Sequence, residues 1–371
     1  MSSSTILRFK LEVVTPLHVW DGKSWIWGLD LVPIGGEACL IDLERIDVSK
    51  LGAIPARAEE LERSIRRWLD AGALRSSKKI PLRATPKSRE EVKLLPPQLI
   101  PASTLKGYIR TALLHKLVME VASSQGAQAA ANLLTSHVNL SVDPKRMGVA
   151  LELKLLSQPR LRGQGGYADM LQQLFVSEPR AVKASSSLSR ASVVDIGGNL
   201  VAELALEVLE PGSTMEYELQ VSKPPPLNLI RVGGDRAEAL SRILQLYATL
   251  TPSRLLNALT EFGRALLDYE LEKVGRFSKP LASKGFDLTT YRDVLERLAS
   301  EHCIPIRLGF ATGHAAKTVA IAMQRLAPHL YHQLCNVMTQ RLGRSWDDST
   351  LKLVNFEGKW LGLGWARLCA T

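Results

Sequence analysis

Apolar and charged positions alternate strictly along Leu7-Arg8-Phe9-Lys10-Leu11-Glu12-Val13-Val14, which predicts a strand with one face on the core and one in water. Trp25, Trp27, Leu29 and Leu31 alternate again, Gly35-Gly36 turns the chain and Ala38 to Leu43 returns it, so a hairpin is expected there. The same period of two marks Val149, Leu151, Leu153 and Leu155 as a strand. Glu203 to Val208 and Met215 to Val221 flank Glu210-Pro211-Gly212-Ser213, turn chemistry suited to a second hairpin. Trp360 to Leu368 reads as a closing strand. Helical periodicity covers Pro55 to Ala71, Thr104 to Val121 with an Ala-rich helical segment after it, Arg236 to Leu250, Pro252 to Glu272 and Lys317 to Arg341. Ser76 to Glu91, rich in Lys and Arg and broken by two prolines, reads as a mobile basic loop. Pro159 to Gly166 and Pro305 to Ala316 read as Gly-containing loops.

The order of elements is strand, helix, strands, then a largely helical part that ends in a strand. Regular strand–helix alternation with Gly-rich turns is missing, which argues against a doubly wound parallel sheet. The pattern supports an α+β fold, and a ferredoxin-like β-α-β core with insertions fits it. Pro224-Pro225-Pro226 is the best linker candidate. It divides the chain into an expected N-terminal domain, 1–222, and a C-terminal domain, 223–371, of helices and a Gly-rich loop.

Charge narrows the partners. There are 47 Lys and Arg against 37 Asp and Glu, a formal net charge of +10, so polyanions are attracted. Nucleic acid is the commonest such partner, and an anionic membrane surface is the alternative that charge alone leaves open. No apolar run is long enough to cross a membrane, and the first residues, Met1-Ser2-Ser3-Ser4-Thr5, lack the regions of a signal peptide. Cys39, Cys303, Cys335 and Cys369 are far apart and form no CxxC, so no zinc site is expected. Reduced, buried cysteines in a cytoplasmic protein, without cofactor or metal, are the expectation.

Two segments carry candidate chemistry. In Pro101-Ala102-Ser103-Thr104-Leu105-Lys106-Gly107-Tyr108-Ile109-Arg110-Thr111, Pro101 breaks the preceding structure and Ser103 or Thr104 can cap a helix start. Lys106 and Arg110, four apart, share a face near the positive end of the helix dipole, a place for a phosphate. A solvated Lys–Arg face on an ordinary helix is the plainer alternative. The second segment is Arg307-Leu308-Gly309-Phe310-Ala311-Thr312-Gly313-His314-Ala315-Ala316-Lys317-Thr318. Gly309 and Gly313 permit close backbone approach, and Lys317 opens a predicted helix. Three residues separate the glycines and three more precede Lys317, so this is not the P-loop spacing for ATP or GTP.

The first segment resembles the IPGSSLKGAIRTALL motif of the RAMP superfamily, the RNA-binding subunits of CRISPR effector complexes, with Ala102 where Gly is usual. Four further segments resemble one subgroup, the fifth subunit of the Csm complex. Val14 to Gly22 is similar to its LTPLHIGSG, and Phe175-Val176-Ser177-Glu178-Pro179 to its VSDS. Arg307 to Thr318 is similar to its LGWGTG…KT loop, and Gly362-Leu363-Gly364-Trp365-Ala366-Arg367-Leu368 to its closing PLGWVKL. The resemblance implies a RAMP core in a non-catalytic subunit of a type III CRISPR-Cas effector. Such a subunit caps the guide crRNA toward its 3′ end, contacts the backbone subunit and meets target RNA indirectly. The expected RNA contacts are then Ser103, Thr104, Lys106, Arg110, Arg307, Gly309, Thr312, Gly313, His314 and Lys317.

The alternative from the same superfamily is a metal-independent endoribonuclease that matures guide RNA. Its general acid or base would be His18, just after the first strand. Asp21, beside Gly22, is a second candidate, or simply a turn former. Arg231-Val232-Gly233-Gly234-Asp235-Arg236 lacks the second carboxylate of a two-metal Gly-Gly-Asp-Asp site. A basic α+β protein that binds RNA outside CRISPR is a third reading. Trp20, Trp25 and Trp27 could stack on bases or pack in the core.

Overall fold

The computed structural model describes residues 4–42, 44–51, 55, 57–159, 167–222, 235–342 and 349–371. Its first sheet runs in the order Arg180–Lys183, Thr214–Val221, Thr5–Val13, Trp365–Ala370 and Ile304–Arg307, all antiparallel, with Leu174–Val176 also paired to Thr214–Val221. The alternation of the first strand is explained by its register. Phe9 lies between Tyr217 and Ala370, and Leu11 between Met215 and Leu368. Phe9, Leu11 and Val13 are buried, each worth roughly 1.5–3 kcal/mol of apolar burial. The helices Ala102–Gln125 and Pro252–Ala282 belong to the same core as these residues, with the Tyr108 and Phe262 rings 5.4 Å apart between them. At Gly263 the second helix lies directly on the edge strand. A Cβ there would stand 2.0 Å from the Pro305 carbonyl oxygen.

The second sheet has the order Lys359–Gly362, Thr350–Phe356, Ser186–Asp195, Leu200–Leu209, Glu91–Lys93 and Ser24–Ile26. Only the pair between Leu200–Leu209 and Glu91–Lys93 is parallel. A small third sheet, Leu31–Ile34, Glu37–Asp42 and Arg75–Pro81, carries the helix Ala58–Asp70 through Val32, Cys39, Ile41 and Ile65. A buried carboxylate ties the third sheet to the second. Glu207 accepts from Lys78 Nζ at 2.7 Å, from the Leu95 amide at 2.9 Å and from Ser186 Oγ at 2.8 Å.

Several expectations change. Val149–Leu156 is a helix with Leu151 and Leu156 buried, because a short apolar run satisfies either period and here it packs on neighbouring helices. The basic stretch from Ser76 is no mobile loop at its start. Arg75–Pro81 pairs with Glu37–Asp42 along its length. Glu203 to Val221 is no hairpin either. Its turn hands the chain from the second sheet to the first, with the Gly212 amide bonded to Val13 O. The long C-terminal helix divides into Ala320–Leu326 and Pro328–Leu342, since Pro328 lacks an N–H and drives Ala327 out of helical geometry, to φ −137° and ψ 59°. Trp360 to Leu368 likewise divides at Gly364, φ +93°, into a strand of each sheet.

Elements on the two sides of the expected 222/223 boundary pair and pack with each other. Trp365–Ala370 pairs with Thr5–Val13, Thr350–Phe356 pairs with Ser186–Asp195, and one apolar cluster contains residues from both halves. The Pro224–Pro226 linker, most of the Pro159–Gly166 loop, and Arg231 to Gly234 lie outside the described residues. The cysteine reading also changes. The antiparallel pairing of Ile304 with Leu368 puts Cys303 opposite Cys369, and the two form a disulfide, while Cys39 and Cys335 are buried and belong to no disulfide. Among the described residues no helix is long and apolar enough to cross a membrane.

Candidate nucleic-acid interface

Three motif segments that are distant in sequence are laced together by backbone hydrogen bonds. The amides of Val14 and Thr15 donate to Trp365 O, Gly364 N to Pro16 O, Leu308 N to Gly364 O, and Phe310 N to His18 O at 2.7 Å. Glycine is required at two of these crossings. A Cβ on Gly309, φ +95°, would stand 2.1 Å from His18 O, and one on Gly364 2.4 Å from Leu308 O. The Ala102–Gln125 helix forms the facing wall, and the segment Phe175 to Pro179 anchors its start. Glu178 Oε2 accepts from the Ala102 amide at 3.1 Å. The helix begins at Ala102 after Pro101, and no side chain at its N-cap bonds to the first turn. Ser103 and Thr104 are therefore helical residues, not the caps expected; Glu178 takes an amide that a phosphate was expected to meet.

Between the helix and the Gly309 loop lies an open groove of about 410 Å³. Ser103, Thr104, Gly107 and Thr111 line one side, and Gly309, Phe310, Thr312 and Lys317 the other. Val19 and Trp20 line it as well. Lys317 is exposed, yet the surrounding wall desolvates its ammonium and pulls its pKa below the ordinary lysine range. Trp20 is 40% exposed, and Lys93 Nζ lies 4.5 Å from its ring centre. Nothing in its local sequence singles out Lys93, which reaches Trp20 from a short strand of the second sheet. Trp27 is buried and Trp25 half-buried, so of that trio only Trp20 is available.

The other expected contacts are engaged by protein partners or line a different cavity. Lys106 donates to Leu174 O at 2.7 Å. Arg110 pairs with Asp169 at 2.5 Å and Glu152 at 3.3 Å. Both cations of the anticipated phosphate face are thus engaged within the protein, on the flank beside the groove. Arg307 contributes to the groove wall but is buried in an ion pair with Glu270 at 2.6 Å, and its Nε donates to Leu363 O. Tyr291 donates to Glu270 at 2.7 Å, and Trp365 Nε1 donates to Tyr291 Oη at 3.0 Å. Burial pushes the Glu270 carboxyl up, but the charges of Arg307 and Lys273 and the Tyr291 hydroxyl outweigh it and hold it below the carboxylate range. Gly313 and His314 line a small cavity of about 20 Å³ beside this network. Burial lowers the His314 pKa to about 3, and its Nε2 is 3.1 Å from the Tyr331 hydroxyl.

His18 has no exposed surface. Its Nδ1 donates to Glu207 O at 2.6 Å, and its Nε2 has no hydrogen-bond partner among the described residues. Burial lowers its pKa to about 4, so the ring is neutral near pH 7 and closed to an RNA. Asp21 accepts from the Lys23 amide at 2.8 Å, a turn contact. No cluster of three or more metal-ligating side chains occurs among the described residues. A wider concavity of about 550 Å³ near Arg83, Arg190 and Trp360 is a poorer anion site. Arg83 pairs with Glu210 and Glu357, and Arg190 with Glu90 and Glu203.

No protein-family model matches the chain, and no curated protein matches it in sequence. Solved structures do match. A chain in the cryo-EM structure of a Csm–crRNA–target RNA ternary complex of a type III-A CRISPR-Cas system aligns with a TM-score of 0.62 at 21% identity, over 98% of this chain and 100% of that one. The crystal structure of Csm5 from T. onnurineus aligns with a TM-score of 0.57 at 20% identity, over 96% of this chain and 99% of that one. The chain therefore has, over nearly its whole length, the α+β fold of these Csm proteins.

Proposed function

We propose that the chain is a non-catalytic RNA-binding subunit of a type III CRISPR-Cas effector complex, holding the guide crRNA toward its 3′ end and contacting the backbone subunit. The observation that carries this reading is convergence. The motif segments at 14–22, 102–111, 307–317 and 362–368 build one open groove, and 175–179 pins one of its walls, in a fold shared with Csm5. Lys317, the hydroxyls of Ser103, Thr104 and Thr111, and the close-packed Gly309 backbone suit a sugar-phosphate chain and read no sequence, as variable guide spacers demand. Lys106, Arg110 and Arg307 act in this account by fixing the walls.

The alternative, a metal-independent nuclease, needs a histidine that reaches RNA, and His18 is enclosed and neutral. The test is incubation of the purified chain with a repeat-containing RNA in metal-free buffer. The RNA should be bound and left intact, and His18→Ala should change neither result. Metal-free cleavage that disappears in His18→Ala would establish the nuclease instead.

A further inference from the structure

We propose that the indole of Trp20 is a stacking platform for one unpaired base of the RNA in this groove, so that the site takes a single strand here and not a duplex. This rests on the RNA-binding reading above. Trp365 and Trp27 are 0% and 5% exposed, whereas Trp20 keeps 40% of its surface open beside the groove. Its orientation is set before any ligand arrives. The indole N–H donates to Lys23 O at 2.6 Å, and Phe310 meets the ring edge-on at 5.9 Å. Lys93 stands 4.5 Å from the ring centre. A large aromatic held by three contacts has little conformational freedom left to lose on binding.

The surroundings supply the rest of a nucleotide's needs. Lys317 offers a cation for a phosphate, and Ser103 and Thr104 offer hydroxyls for ribose or phosphate oxygens. The neighbouring carboxylate of Asp21 accepts from the Lys23 amide. Every base has a π face, so such a platform is indifferent to sequence. A base pair in the interior of a duplex keeps both faces within the helical stack and cannot lie on the indole.

The experiment measures binding of the full chain to a short fluorescein-labelled oligouridine and to a blunt RNA duplex, by anisotropy across a salt series. Trp20→Ala should weaken oligouridine binding about tenfold, within the range for loss of one base–aromatic stack, without changing the salt slope. Trp20→Leu, which keeps apolar bulk without a π face, should lose as much, and Trp20→Tyr should stay close to the wild type. Should Trp20→Ala lower the melting temperature, the Leu and Tyr variants decide the matter. None of the three should alter duplex binding. Unchanged oligouridine affinity in Trp20→Leu, with Lys317→Ala still reducing the salt slope, would overturn the platform and leave the RNA-binding reading standing. Equal losses for single strand and duplex would also overturn it. A wild-type chain that binds neither RNA would remove both.

Discussion

Gly309 and Gly313 belong to one loop and both have positive φ, +95° and +87°, yet they should respond very differently to an added methyl group. An alanine at either position incurs the cost of left-handed backbone, about 1–2 kcal/mol. At Gly313 nothing lies within 4 Å of the new Cβ, and the cost ends there. At Gly309 the Cβ would stand 2.1 Å from the His18 carbonyl oxygen, a backbone atom that cannot swing aside. The loop must lift, adding an overpacking cost of about 1–3 kcal/mol. Lifting also stretches the 2.7 Å bond from Phe310 N to His18 O, worth about 1 kcal/mol net. Gly309→Ala should therefore be less stable than Gly313→Ala by about 2–4 kcal/mol. Urea denaturation of the two variants, compared through their midpoints at similar m values, reads the difference directly. Equal midpoints would refute the argument that this crossing locks the groove wall to the first strand.

Three further outcomes follow from the same packing. Glu270→Gln should cost about 3–5 kcal/mol at pH 7 by leaving the buried Arg307 guanidinium without its carboxylate. Because the folded-state pKa of Glu270 is depressed, the stabilisation is full above the ordinary carboxylate pKa and fades as pH falls through the lower folded value. The gap between variant and wild type in urea should accordingly narrow in acid, and a constant gap would count against the pair. Arg110→Ala should destabilise the helix wall while leaving the salt slope of RNA binding unchanged, whereas Lys317→Ala should reduce that slope by about one; the reverse pattern would restore Arg110 as a phosphate contact. Cys303→Ser should lower stability under oxidising conditions by about 4 kcal/mol, from a loop spanning 66 positions, and melting with and without reductant should then coincide for the variant but not for the wild type.

The strand Thr5–Val13 was legible because one face is solvated and one buried, which writes a period of two into the sequence. The Ala102–Gln125 helix was legible from its apolar stripe, but the use of its polar flank was not. Lys106 and Arg110 look like free cations until Leu174 O, Asp169 and Glu152 arrive from other elements. The same blindness to partners made Arg307 and His314 look like ligand contacts, when Glu270 lies against the first and the Tyr331 hydroxyl against the second. The Gly309 motif was recognised as a place of close approach, though its near neighbour is the protein's own His18 carbonyl. Val149–Leu156 and the turn at Glu210–Ser213 misled because a short period-two run and a good turn are both compatible with more than one tertiary setting. Lys93 carried no local signal at all. Its place beside Trp20 depends on the pairing of two three-residue strands, Ser24–Ile26 and Glu91–Lys93.

The most direct test of the account is ultraviolet crosslinking of the tagged chain in its native cells, followed by sequencing of the attached RNA and mapping of the crosslinked peptides. The account predicts RNAs with a constant repeat-derived end and variable spacers, joined to peptides that contain Trp20, Ser103 to Thr111, or Gly309 to Lys317. Absence of such RNA, or crosslinks confined to surfaces away from these three segments, would contradict it.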